Sequence, residues 1–411
     1  MVNMMPAGKC PMEEGRLLLN RKRVVDIIEG MKDTSWFSKS PKQDFSGKSY
    51  NIFVGRFNYP NVNVGLLFSE QQDPLLDAPR QWSAQNMGIP KIALLRSSLA
   101  SGGAQAHVKI ASLHSALIEK LKYASEEVSL SSRPLDVEIK VDKPLQFKMT
   151  FAAEATPFGP RAQLQNVSVT ENASVPRPIE RIHSDTDLKA SAAVDELSAK
   201  GFDEQYLTRL LSAGQLGTLP QRKLVPTRWA ITATDDMIGK RHIAELYGYE
   251  SLPIGFYAGG YLGNYYYVIT LPGPFRYELF ETHVPTGNCG TDFEDSFGRK
   301  SYASNTAGGY YAARLSIVEE LHKIKRTASL LVLRFVTEDY YMPLGVWVVR
   351  EAVRSAMHSL FTEVPGGSRE ALLNAIRDDV LHKFRLDVTS IYRFSKLLEI
   401  LRNQRTLADF R

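Results

Sequence analysis

The chain has 411 residues, enough for two or three domains, and a hydrophobic content of 44% supplies core material for each of them. Its longest apolar runs, such as 330–333 and 346–349, are strand-sized, which excludes a membrane-spanning helix. With 50 basic and 45 acidic residues the formal net charge is +5, a mild lean towards phosphate-bearing partners; two cysteines, Cys10 and Cys289, exclude a disulfide framework and a cysteine-only zinc site.

Arg21-Lys22-Arg23 is not followed by the apolar core of a signal peptide, so the expected location is cytoplasmic. Residues 1–35 start irregularly, then Leu17, Leu18, Val24, Val25, Ile27 and Ile28 give a helical period over 16–31. A short buried strand is expected at 51–54, followed by an extended segment, 55–65, punctuated by Gly, Pro and Asn. That segment offers Arg56, Tyr59, Asn61 and Asn63 as a polar group, with plain turn chemistry as the alternative. Residues 73–90 read as loop, and 92–99 return to order with Arg96 available to an anion. Val108, Leu113, Leu117 and Leu121 suggest a helix; 135–141 alternates as a strand with one wet face, and 147–153 resembles its neighbour. A proline-bearing crossing covers 157–178, and a small helical module opens near Ser184, where Asp185 and Asp187 are helix caps or metal ligands.

From Lys223 the character changes. Residues 229–233 read as a strand ending at Asp235-Asp236, a carboxylate pair that can hold a divalent cation or poise a general base, although Asp236 can equally cap the next helix. Residues 265–271 and 275–281 read as two further strands; alternation puts Arg276 and Glu278 on one side, near His283, where a mutual salt bridge is the simplest reading. The stretch 298–326 joins a polar, glycine-bearing loop to a helix. Asn305 or Thr306 can accept from free amides at its start, and Tyr310, Ala313, Ile317, Leu321 and Ile324 form its core stripe. Its small residues permit close packing, while Arg299, Lys300, Tyr302 and Arg314 can meet an anion. Residues 329–336 and 345–349 read as buried strands, the second ending at Arg350-Glu351. Helices follow through Val353, Met357 and Leu360, through Leu372, Leu373 and Ile376, and over 391–401. The fold class is mixed α/β, with helices packed on a mixed sheet and a helical tail at the C-terminus.

One candidate site emerges, with 298–326 as one wall and Asp235, Arg276 and Arg350 as the others. Its catalytic candidates are Asp235, Asp236, Glu278, Lys300 and Tyr302, and its substrate-binding candidates are Arg56, Arg96, Arg276, Arg299, Asn305, Arg314 and Arg350. A divalent metal is compatible with those carboxylates. No HExxH, Walker loop, Rossmann fingerprint or catalytic cysteine-histidine signature fixes a reaction.

The chain closes on Gln404-Arg-Thr-Leu407-Ala-Asp-Phe410-Arg411. On one turn of tight helix Leu407 and Phe410 point the same way and Gln404 is left to bond a backbone. This spacing resembles the peptide by which repair and replication proteins hook onto the sliding clamp (PCNA), with Arg411 where a second aromatic usually stands.

Phe53-Val-Gly-Arg-Phe-Asn-Tyr-Pro-Asn-Val-Asn-Val-Gly65, Leu95-Arg-Ser-Ser-Leu99, Ser184-Asp-Thr-Asp-Leu-Lys-Ala190, Leu224-Val-Pro-Thr-Arg-Trp229 and Leu271-Pro-Gly-Pro-Phe-Arg276 resemble the archaeal Nre family. So do Gly298-Arg-Lys-Ser-Tyr302, Asn305 to Leu315 and Pro343 to Glu351. The resemblance implies an archaeal DNA damage response factor, nucleoid-associated, that binds DNA and is recruited by the clamp through Gln404, Leu407 and Phe410. It supplies no settled reaction; hydrolysis of a phosphodiester or nucleotide bond, a small-molecule nucleotide enzyme and a non-catalytic adaptor all remain open. Many members carry an N-terminal cysteine cluster suggestive of zinc, of which only Cys10 stands here, so N-terminal zinc is not expected. The expected organisation is a degenerate zinc module at 1–35, a mixed region at 36–222, an α/β region with the site at 223–402 and a clamp-binding tail at 403–411.

Overall fold

Strict alternation of apolar and polar residues makes 135–141 a strand with one buried side. The computed structural model describes residues 21–32, 36–38, 42–109, 115–151, 155–364 and 367–403, and places that strand in a closed barrel. The described residues form two units, one of 21–238 with 342–347, the other of 239–341 with 348–403. The division falls within a helix rather than at the change of character near Lys223.

The first unit runs α1 (Arg21–Lys32), β1 (Asp44–Val54), β2 (Asn61–Ser69), α2 (Pro79–Ala84), α3 (Ile89–Ser97), β3 (Ala100–His107), α4 (Ala116–Leu130), β4 (Leu135–Val141) and β5 (Arg161–Val169). It continues through α5 (Arg177–Ser184), α6 (Ala190–Ala199), α7 (Glu204–Ser212) and α8 (Thr227–Glu245), the helix within which the units divide. The barrel order is β1-β2-β3-β5-β4, closed by β1 against β4. Every pairing is antiparallel except β3 with β5, and α4 makes the connection between β3 and β4. This connectivity is that of the OB barrel, an architecture without a free sheet edge. Its interior is filled by Phe45, Ile52, Val64, Leu66, Val137 and Ile139, while α4 turns Ile118, Leu121, Ala124 and Val128 into the same core.

Two expectations change here. Residues 147–151 supply only an isolated bridge, Thr150 to Phe158; the true neighbour of β4 is β5, within the stretch expected to be an extended crossing. Val108 belongs to no helix but follows β3 directly. Asp185 accepts from the amides of Asp187 and Leu188, both at 3.0 Å, and so forms the turn ahead of α6.

The second unit contains β6 (Glu250–Ser251), β7 (Gly255–Tyr261), β8 (Asn264–Leu271), β9 (Arg276–His283), β10 (Asn288–Glu294), α9 (Ala307–Lys323), β11 (Arg326–Thr327) and β12 (Ser329–Val336). It ends with α10 (Trp347–Met357), β13 (Thr362–Glu363), α11 (Arg369–Phe384), α12 (Thr389–Phe394) and α13 (Lys396–Asn403). The main sheet has the order β10-β9-β12-β8-β7-β13, and β6 pairs with β11 separately. All eight residues of β12 are buried, the pattern of a strand covered on both faces. On one face Tyr267, Phe280, Leu331 and Phe335 meet Leu372, Ile376, Ile391 and Leu397 from the last three helices. On the other, Tyr277 packs edge-on against Tyr310 of α9.

Residues 229–233 are helical, so Asp235 and Asp236 lie in the middle of α8 and not at a strand end. Buried Ala230, Thr234, Asp235 and Ile238 recur every three to four residues, a helical rather than a strand period. Residues 347–349 likewise open α10, whose buried Val348, Val349, Ala352, Val353 and Ala356 follow the helical repeat, so Arg350 is a helix residue as well. Leu360 lies beyond that helix and is exposed.

The helix expected over 391–401 breaks at Ser395, and the cause is Glu278. This buried carboxylate on β9 accepts from Ser395 Oγ at 2.5 Å and from the amides of Lys396 and Leu397 at 2.9 and 3.1 Å, capping α13. Burial pushes its pKa up, and those three donors oppose the shift. Glu278→Ala would strand buried donors and is expected to cost about 2–4 kcal/mol. Chemical denaturation checks this: a loss below about 0.5 kcal/mol, the level of an ordinary surface substitution, would show that the cap contributes nothing.

Candidate nucleic-acid interface

The glycine-bearing loop before α9 is held by carboxylates from β10. Asp292 Oδ2 accepts from the amides of Asn305 and Thr306 at 2.9 and 2.8 Å and from Thr306 Oγ1 at 3.0 Å, while its Oδ1 accepts from Arg299 Nη2 at 2.9 Å. The cap of α9 therefore comes from the sheet, and neither Asn305 nor Thr306 supplies the side-chain acceptor expected of it. Asn305 Nδ2 instead donates to the Thr291 carbonyl. Arg299 spends its remaining donors on the carbonyls of Phe293, Ser301 and Tyr302. Two residues along β10, Glu294 accepts from Arg314 Nη1 at 2.6 Å and from the Tyr310 hydroxyl at 2.8 Å, all three groups being buried. Arg276 pairs with Asp295 at 2.9 Å rather than with Glu278.

Three of the expected anion-binding arginines in this unit thus carry a carboxylate each. Gly309 belongs to the same scheme: a side chain there would overlap the carboxylate of Glu281, which pairs with buried Arg334. Lys300 and Tyr302 remain exposed, with Tyr302 stacked on Tyr311 at 5.5 Å. Arg350 is buried on α10, and Asp235 is buried in α8, within the first unit. Arg96, also in the first unit, is buried and spans the Pro157 and Leu76 carbonyls and Asp77; burial lowers its pKa and Asp77 opposes the shift. Among the described residues one group could hold a metal ion: His242 and Glu245 of α8 with His322 of α9, whose ligand atoms lie within 4.8 Å of one another. It includes none of the carboxylates singled out from sequence.

A different surface of the first unit has the composition of a nucleic-acid interface. The barrel's outward residues divide by charge. Around the start of β1 and along β4, Asp44, Asp136 and Glu171 sit beside Lys140, Lys48 and Arg133 in ion pairs. On β2, β3 and β5 the outward positions are Asn61 and Asn63, Ser101 and Gln105, and Arg161 and Gln163, with no carboxylate among them. The turn between β1 and β2 adds Arg56, Phe57 and Tyr59, all exposed. Tyr59 lies 5.2 Å from the exposed ring of Trp229 in the first turn of α8, which is fastened to the barrel by the Thr227 hydroxyl accepting from the Val54 amide at 2.9 Å. Lys223 Nζ reaches the Tyr59 hydroxyl at 3.4 Å. The structure therefore gathers Arg56, Tyr59, Asn61 and Asn63 on one side and adds Arg161, Gln163, Lys223 and Trp229, which sequence reasoning left out of the site. A signal for them exists in the chain: 45–69, 78–118, 155–170 and 205–234 contain no Asp or Glu; β2, β3 and β5 lie in the first three stretches, and Lys223 and Trp229 in the last.

Among the described residues no helix is long and apolar enough to cross a membrane. Gln404, Leu407, Phe410 and Cys10 lie outside the described residues. Comparison with known proteins matches residues 19–288 to the family model described as archaeal Nre, N-terminal, and 294–410 to archaeal Nre, C-terminal. The chain is 33% identical over 374 residues to DNA repair protein NreA of Haloferax volcanii, covering 86% of each chain. It is 32% identical over 408 residues to DNA repair protein NreB of Archaeoglobus fulgidus, covering 96% of this chain and 98% of that one. No solved structure matches. With both halves matched in order and these relatives covered almost end to end, the chain belongs to the archaeal Nre family.

Proposed function

We propose that this protein is a DNA repair factor that binds DNA along the β2, β3 and β5 side of its barrel and is brought to DNA by the sliding clamp through Gln404, Leu407 and Phe410. The repair role rests on relatives named as DNA repair proteins. The observation that carries DNA binding is the segregation of charge on the barrel: β2, β3 and β5 contain no carboxylate, and beside them stand Arg56, Arg161 and Lys223 with exposed Phe57, Tyr59 and Trp229. Phosphates are drawn to such cations and bases stack on such rings. Binding is favoured over hydrolysis and over a phosphate cradle at 298–314. Glu278 is spent as a helix cap, and Arg299 and Arg314 are already neutralised by Asp292 and Glu294.

The salt dependence of affinity for a labelled oligonucleotide, followed by fluorescence anisotropy, tests the interface. Replacing Arg56, Arg161 and Lys223 together by Ala should weaken binding at least tenfold and flatten the slope of log K against log salt by about 2, at roughly 0.7 per lost phosphate contact. Lys140→Ala, on the carboxylate-bearing side, should change neither. An unaltered slope in the triple variant would remove the barrel side from DNA binding.

The tail is tested separately. Alanine at Gln404, Leu407 and Phe410 should abolish retention on immobilised clamp while leaving the thermal unfolding of the body unchanged. Undiminished retention would refute recruitment by this peptide.

A further inference from the structure

Where β1, β2, β3 and β5 come together the barrel's outer side is not flat but holds an open recess of about 210 Å³. Its floor is Gly65 of β2 directly paired with Gly103 of β3. A side chain on Gly65 would overlap Ser101 Oγ, and one on Gly103 would overlap the Val64 carbonyl. No side chain therefore projects from either position: Gly65 is buried with Ser101 packed against it, and Gly103 is part-exposed. A glycine inside a strand often marks a close approach.

One wall is aromatic and cationic. The Arg161 guanidinium lies 5.0 Å from the ring centroids of both Phe53 and Phe158, and these two rings are themselves 5.0 Å apart. Arg161 is exposed and makes no ion pair among the described residues, so no carboxylate among them offsets its charge. The rim is made of amides: Asn63 and Gln163 are exposed, and each offers both a donor and an acceptor. A ring and guanidinium at the side and amides at the edge match a flat heterocycle with mixed hydrogen-bonding groups. A phosphate would need neither the amide acceptors nor the ring.

We infer that this recess seats one unstacked base of a single-stranded DNA, lodged against Phe53 and Arg161 with its edge read by Asn63 and Gln163. The inference rests on the proposed DNA interface and gives it a strand preference. Bases in a duplex are stacked and present only their edges in the grooves, so they cannot lay a face against Phe53 and Arg161. A free strand can splay one base into the recess while other bases stack on the exposed rings of Phe57, Tyr59 and Trp229.

The test uses the full chain with a single-stranded oligonucleotide carrying 2-aminopurine, the matched duplex and the same sequence as RNA. Single-stranded DNA should bind at least tenfold more tightly than duplex, with a rise in 2-aminopurine fluorescence as the base leaves its stack. Gln163→Trp, which covers the recess from an exposed position, and Arg161→Ala should each lower single-strand affinity about tenfold and abolish the fluorescence rise; Arg56→Ala should weaken binding but keep it. Equal affinity for duplex, or an undiminished fluorescence rise in Gln163→Trp, would overturn the recess while leaving the DNA interface standing. Absence of DNA binding by the unaltered protein would overturn both, and tighter binding of the RNA strand would overturn the assignment to DNA.

Discussion

A charge removed from water has to be met by an opposite charge or by several hydrogen bonds, and this constraint shapes the second unit. β10 presents Asp292 and Glu294 two residues apart, hence on one side of the strand, and both are used on the α9 side: one caps the helix, the other neutralises Arg314. On β9, Glu281 answers Arg334, and on the opposite face Glu278 caps α13. Both helical layers are thus tied to the sheet at fixed positions by carboxylates, and apolar contact fills the space between. The functional consequence is a negative one for this unit: an arginine already enclosed by a carboxylate and carbonyls has little field left for a phosphate. The first unit obeys the same rule at Arg96 with Asp77, and departs from it where Arg56 and Arg161 stand exposed without an ion pair among the described residues.

The fold was legible in sequence where pattern and burial coincide. β4 alternates because one side is wet, β12 is apolar throughout because both faces are covered, and both match their expected ranges. β3, reading Ala-Ser-Gly-Gly-Ala-Gln-Ala-His, escaped because its residues are small, a consequence of tight closure against β2 and β5 that only the assembled barrel reveals. The first turns of α8 and α10 were mistaken for strands for a related reason. Trp229 to Ala233 and Val346 to Val349 are short apolar or β-branched runs, and four or five residues cannot distinguish a period of two from one of 3.6.

The site was less legible, because a side chain's type does not reveal its partner. Arg299, Arg314 and Arg276 have the composition of an anion site, but their partners Asp292, Glu294 and Asp295 are separated from them by 7 to 20 residues and become adjacent only through the pairing of β9 with β10 and the docking of α9. Asp235 and Asp236 looked like a strand-end pair only while their helix was read as a strand. Arg56, Tyr59, Asn61 and Asn63 were visible as a group because one turn and one strand carry them. Arg161 and Trp229, more than 90 residues further on, lie in acid-free stretches of their own and join that group only through barrel closure and the anchoring of α8 to β1.

On the proposed function, the barrel side and the tail would depend on one another energetically. Three exposed cations amount to a small counterion release, so the barrel alone would hold DNA only modestly and lose it as salt rises. A clamp-bound tail would change the concentration at which that weak contact operates rather than the contact itself. Gln404 follows directly on Asn403, the last residue of α13. Recruitment through such a tail would raise the effective concentration of the protein beside DNA occupied by the clamp, and an interface of few cations would be weak enough to release elsewhere. A barrel built with more cations would bind duplex indiscriminately; one with few cations and exposed rings would favour the places where bases have left the stack.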